Sequence, residues 1–165
     1  MRDRNREALA HAERARDLYE ETGDRPGLAL ALNGVGWYHT LLGDHHRAIA
    51  YCERALELHE EVGYRHGQAT TWDSLGRAHH SLGRHARALA CYENALALFR
   101  QVGDRYDEAE TLGHLGDIHH AAGDEDAARR AWRRSLATLE ELGHADAERM
   151  RVKLGARPAE RGAAS

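Results

Sequence analysis

The chain has 165 residues, 42% of them hydrophobic, with 23 basic against 27 acidic side chains and a formal charge of −4. That balance offers no positive field to condense on phosphates, so direct nucleic-acid binding by this segment is not expected. No apolar run reaches the length of a membrane span or the core of a signal peptide, so no membrane contact is expected and a cytoplasmic setting is.

Residues 1–23 place Ala8, Leu9, Ala12, Ala15 and Leu18 at helical spacing, forty positions ahead of Ala48, Ile49, Cys52, Ala55 and Leu58. This predicts an N-terminal helix that is half of a repeat, with no partner helix ahead of it. Leu9, Ala12 and Leu18 would then stand exposed as a patch for self-association into a homodimer, the alternative to a partner-binding role.

Fixed-period glycines follow: Gly36, Gly76 and Gly116; Gly43, Gly83 and Gly123; and Gly23, Gly63, Gly103 and Gly143, all forty apart. Between them the apolar residues keep helical spacing, as in Leu28, Leu32, Val35, His39 and Leu42, then Ala48, Ile49, Cys52, Ala55 and Leu56. Each period reads as a helix pair, over residues 24–63, 64–103 and 104–143. Gly43, Gly83 and Gly123 sit where a first helix must end in a left-handed conformation, and Asp44 and Asp124 then offer helix N-caps. Gly36, Gly76 and Gly116 fall inside the first helices, where glycine costs about 1 kcal/mol relative to alanine. Close packing is expected to offset that cost, with Ala48, Ala88 and Ala128 of the second helices as its partners. Cys52 and Cys91 fit no disulfide framework or metal-ligand spacing and are expected to be buried free thiols in a reducing compartment. Residues 144–155 place Ala147, Met150 and Leu154 on one face, predicting a capping helix. Residues 156–165 are expected to be a disordered tail.

The run "WDSLGRAH", Trp72 to His79, resembles the tetratricopeptide pattern of tryptophan or leucine, leucine-glycine and an aromatic residue. Leu32, Val35, Gly36 and His39 repeat it, as do Leu112, Leu115, Gly116 and His119. The second helices complete it with Ala48, Cys52 and Ala55, with Ala88, Tyr92 and Ala95, and with Ala128, Trp132 and Ser135. The period of forty exceeds the usual ~34, histidine fills the aromatic slot, and the closing proline is missing. The resemblance implies an all-α fold, a right-handed superhelix of antiparallel helix pairs. From about Gly23 to Leu154 the chain also resembles the C-terminal repeat region of actinobacterial transcriptional regulators of the Streptomyces antibiotic regulatory protein type. That resemblance implies a sensing or regulatory arm.

His39, His79 and His119 take the aromatic slot and are expected to be structural, each with a hydrogen-bond partner at the core edge. The family's concave surface, carried onto this chain, implies a groove for a protein or peptide partner. It is lined by Leu30, Asn33, Trp37 and Thr40, by Thr70, Asp73, Arg77 and His80, and by Glu110, Gly113, Asp117 and His120, with His114 at its edge. A mixed lining of this kind suits an extended peptide or a helix, the alternative being an ordinary solvated face.

Asp117 and His120, three apart, could share an ion with His80, but no HExxH or paired-cysteine spacing accompanies them, so no metal site and no cofactor are expected. Thirteen histidines against a charge of −4 would reverse the sign of the molecule as pH falls through about 6.5, leaving a metal- or proton-responsive sensor as a third functional reading. No phosphate loop or G-x-S-x-G elbow is present, and Asp73, Glu110 and Asp117 in an open groove would gain little desolvation to separate their pKa values. The chain is not expected to be an enzyme.

Overall fold

The computed structural model describes residues 1–155, and the expected disordered tail, 156–165, lies outside the described residues. Those residues form eight helices and no strand: α1 (Arg2–Thr22), α2 (Arg25–Leu42), α3 (His45–Glu61), α4 (Arg65–Ser81), α5 (His85–Val102), α6 (Arg105–Ala121), α7 (Glu125–Glu141) and α8 (Ala147–Lys153). One compact unit, Met1–Gly103, holds α1 to α5; a second, from Asp104 on, holds α6 to α8.

In the first unit α2 with α3, and α4 with α5, form helix hairpins. The α2–α3 turn shows how the chain reverses. Gly43 adopts φ 90°, its amide donating to the Thr40 carbonyl at 3.1 Å while the Asp44 amide donates to His39 at 2.9 Å. A side chain at that φ would be strained, which accounts for the glycine. The Asp44 carboxylate then accepts from the Arg47 amide at 3.4 Å and starts α3. Asp24, Asp104 and Asp124 cap α2, α6 and α7 in the same manner, whereas α4 and α5 begin without a side-chain cap.

The mid-helix glycines are close-packing sites; the expected Ala48 meets Gly36 through its carbonyl oxygen, but the side chain in each notch is a different one. A Cβ on Gly76 would lie 2.7–2.9 Å from the Tyr92 ring. On Gly36 it would run into Cys52 Sγ and approach the Ala48 carbonyl oxygen to 3.0 Å, and on Gly116 it would run into the Trp132 indole. Ala48, Ala88 and Ala128 are fully buried as expected, but the group seated on each glycine is the residue one helical turn later. The alanine lets the backbones approach, and its neighbour at i+4 fills the notch.

Around these seats the core of the first unit is continuous in sequence register. Leu28, Ala29 and Leu32 of α2 pack on Ala55 and Leu58 of α3. Ala48, Ile49 and Cys52 meet Leu75, Ala78 and Cys91, and Ala69 meets Ala95 and Phe99. Helix α1 lies against α2, with Ala12 3.9 Å from a Cβ placed on Gly34 and the Tyr19 ring over Gly27. It has no fully buried residue. In the second unit Ala147 and Met150 of α8 are buried with Ala109, Ala128, Trp132 and Leu139, and Leu154 packs beside them.

The seat on Gly76 makes a signed prediction. Alanine is the better helix former by about 1 kcal/mol, yet Gly76→Ala should lower the melting temperature, because overpacking costs about 1–3 kcal/mol. Gly76→Leu should lower it further. Thermal melts followed by circular dichroism check this, and a melt of Gly76→Ala at or above that of the native chain would refute the seat.

Candidate partner-binding face

In the first unit the expected lining falls on α2 and α4. Helical spacing puts Asn33, Trp37 and Thr40 along one side of α2 and Asp73, Arg77 and His80 along one side of α4, all six half-buried. The Arg77 guanidinium lies over the Trp37 ring, 4.7 Å from its centroid, and Arg77 Nε is 3.7 Å from the Asp73 carboxylate one turn back. This arrangement holds a cation over an aromatic face. Nearby groups are tied inward: Cys52 Sγ donates to Asn33 Oδ1 at 3.8 Å, Thr40 Oγ1 donates to the Gly36 carbonyl at 3.2 Å, and Thr70 Oγ1 donates to Gly67 at 3.0 Å. The His80 ring sits 5.8 Å from that of His85. Leu30 is exposed at the start of this side of α2.

In the second unit the open surface expected from Glu110, Gly113 and Asp117 is corrected, because α8 lies on it. Arg149 donates to Glu110, Met150 lies 3.4 Å from a Cβ placed on Gly113, and Lys153 Nζ donates to both oxygens of Asp117, at 2.5 and 2.6 Å. Asp117 also accepts from Trp132 Nε1 at 3.0 Å, and Lys153 stands over the Trp132 ring at 5.8 Å. Opposite charges meet here: Arg149 and Lys153, one turn apart on α8, reach Glu110 and Asp117, two turns apart on α6. His114 is half-buried. His120 is exposed, with Nδ1 2.6 Å from Glu125 Oε1 and its ring 5.6 Å from Trp132.

The aromatic-slot histidines divide. His39 is buried and stacks on Tyr51, with centroids 5.4 Å apart and planes 5° from parallel. His79 is buried too, but its Nδ1 has no hydrogen-bond partner, contrary to expectation, and His119 is only half-buried. His59 was not singled out from sequence. It is fully buried and neither ring nitrogen has a hydrogen-bond partner; the Tyr64 ring faces it edge-on at 5.5 Å. Its signal was the forty-residue column, which elsewhere holds Tyr19, Phe99 and Leu139. Burial pushes the pKa of His39, His59 and His79 below the ordinary histidine value. Cys52 and Cys91 are free and buried, and burial pushes their thiols up to about 12 and about 11, which suits packing rather than nucleophilic chemistry.

The expected self-association residues do not share one surface. Leu9 and Ala12 are half-buried, Ala12 against α2, whereas Leu18 is 61% exposed. At 100° per residue Leu9 and Leu18 point to opposite sides of α1.

With this geometry, the chain belongs to the tetratricopeptide repeat family, whose model matches residues 1–61, 38–93 and 67–141 in overlapping stretches. Fifty-five chains of solved structures match it. Among them is the crystal structure of BtubC (BKLC) from P. vanneervenii, with a TM-score of 0.63 and 18% identity over 99% of this chain and 95% of that one. At that identity the likeness speaks for the fold alone. No curated protein matches the chain. Tetratricopeptide repeats in general mediate protein–protein interactions.

Two outcomes follow from the site. His59 has a folded-state pKa below its unfolded value, so its contribution to stability is fully present above about pH 6.5 and is lost as pH falls further, when the unfolded chain takes up the proton first. The melting temperature should therefore drop between pH 7.5 and pH 5.5, and His59→Phe should flatten that drop; an equal drop in the variant removes His59 as its source. Asp117→Ala should loosen α8, speeding amide hydrogen exchange of Ala147–Lys153 by roughly tenfold or more while that of α2 to α5 stays as it was.

Proposed function

We propose that the chain is a protein- or peptide-binding module whose partner contacts the α2 and α4 side, centred on Trp37, Arg77, Asp73 and His80. The stacking of Arg77 on Trp37 supports this most directly. It fixes a cation beside an aromatic surface, so an extended segment can place a carboxylate on the guanidinium and an apolar side chain on the indole. Asn33 and Thr40 flank that platform. His114 and His120 stand at the open edge of the second unit, and Glu110 and Asp117 act there in holding α8. The partner class favoured is thus an acidic peptide with an apolar residue nearby.

The setting proposed is the sensing or regulatory arm of a bacterial transcriptional regulator, supported by the forty-residue repeat and its likeness to the repeat region of such proteins. Finding a DNA-binding and nucleotide-switch region encoded in frame with this chain would support the setting, and its absence from the complete gene would remove it. A second reading, self-association through α1, is favoured by the exposure of Leu18.

Panning a phage-displayed random peptide library on the immobilised chain tests the binding face. Enriched sequences should carry acidic residues beside an apolar one and should lose binding to Arg77→Glu, while circular dichroism shows unchanged helix content. No enrichment over bare support, or equal binding to Arg77→Glu, overturns the assignment.

A further inference from the structure

Helix α1 carries the buried face of a second helix, and among the described residues no first helix lies on it. In the forty-residue register Ala8, Ala12, Ala15 and Tyr19 stand in the columns of Ala48, Cys52, Ala55 and His59. All four of the latter have no exposed surface, whereas Ala8, Ala12 and Ala15 are half-buried and Tyr19 is exposed. Leu18 shows the difference most plainly: it is 61% exposed where its counterpart Leu58 is 8% exposed. Inside the unit the neighbour that covers Ala55 and Leu58 is the antiparallel helix α2, through Leu28, Ala29 and Leu32. Among the described residues no helix takes that place on Ala15 and Leu18.

The α8 of another copy does not suit the seat. In register Arg149 falls in the column of Ala29 and Ala69, both fully buried, and a guanidinium there would be driven into the helix it should pack on. A second α1 does suit it. Ala8, His11, Ala15 and Leu18, spaced three and four apart, form a seam with two small residues, which permits close approach. Glu7 and Arg14 share one flank of that seam, are exposed, and have no ionic partner among the described residues. When two copies meet antiparallel about a two-fold axis near His11, this flank faces itself, and each Glu7 comes level with the other copy's Arg14. A parallel pairing would put the two Glu7–Arg14 flanks on opposite sides of the seam and leave these charges without each other. The antiparallel sense also brings the basic start of the helix, Arg2, Arg4 and Arg6, to the acidic end with Asp17, Glu20 and Glu21.

We propose that the chain forms a two-fold dimer in which α1 of each copy takes the empty helix seat of the other, antiparallel, through Ala8, His11, Ala15 and Leu18 with crossed Glu7–Arg14 pairs. The proposal rests on the self-association reading and adds the partner surface, its direction and its register. A closed, isologous contact of this kind stops at two copies.

Sedimentation equilibrium of the full chain tests it. The native chain should be a dimer; Leu18→Glu, at an exposed position, should weaken association by about tenfold or more without loss of helix content. Glu7→Arg should weaken it several-fold, and Glu7→Arg combined with Arg14→Glu should restore it. A native chain that stays monomeric overturns both the proposal and the self-association reading. A dimer indifferent to Leu18→Glu leaves self-association standing and overturns the α1 interface. Failure of the double exchange to restore affinity overturns the antiparallel register, and growth beyond two copies overturns the closed contact.

Discussion

What holds each helix pair is a knob set on a bare backbone. Cys52 on Gly36, Tyr92 on Gly76 and Trp132 on Gly116 are the same contact with side chains of rising size. The notch must be a glycine because any Cβ would occupy the space that the knob fills. With the knob seated, Ala48, Ala88 and Ala128 bring the backbones together, and the two helices are fixed in rotation as well as distance. That rotation decides which residues of α2, α4 and α6 turn inward and which turn away. Asn33, Trp37 and Thr40 face where they do because Gly36 faces Cys52.

The same contact links packing to chemistry in the second unit. Trp132 fills the notch at Gly116 with its indole and directs Nε1 at Asp117, the carboxylate that then receives Lys153. A residue whose position falls on the candidate binding face is thereby used to fasten α8. In the first unit the corresponding position on α4 is Arg77, whose charge lies on Trp37 and is balanced by Asp73. One register position thus holds a helix in one unit and presents a cation in the other.

Much of this was legible in the sequence, because a forty-residue period repeats the same physical demands. A glycine at every fortieth position marks either a left-handed turn or a close approach, and the two were told apart by whether apolar spacing stopped or continued there. Gly43 and Asp44 were read correctly as the end of one helix and the cap of the next, since both roles depend on backbone conformation within a few residues. At Gly76 and Gly116 the side chain in the notch lies one turn beyond the expected alanine, because spacing alone gives the face of a helix and leaves open which side chain on it reaches furthest. His59 escaped notice since a lone histidine among charged neighbours, "ELHEE", reads as surface until its column is compared with Phe99 and Leu139.

The candidate site was legible only in part. Leu9, Ala12 and Leu18 all read as apolar positions of one helix, yet the first two are half-buried and the third is exposed, because a helix faces several neighbours at once. Periodicity by itself determined the all-helical fold, the pairing of helices and the places where the chain turns, since these follow from local backbone preference and from apolar spacing. Tertiary structure alone decided that Glu110 and Asp117 are held by α8 while Trp37 and Arg77 remain a platform. Such choices depend on which distant charges and rings come within a few ångströms of each other once the helices pack, and no local pattern encodes that distance.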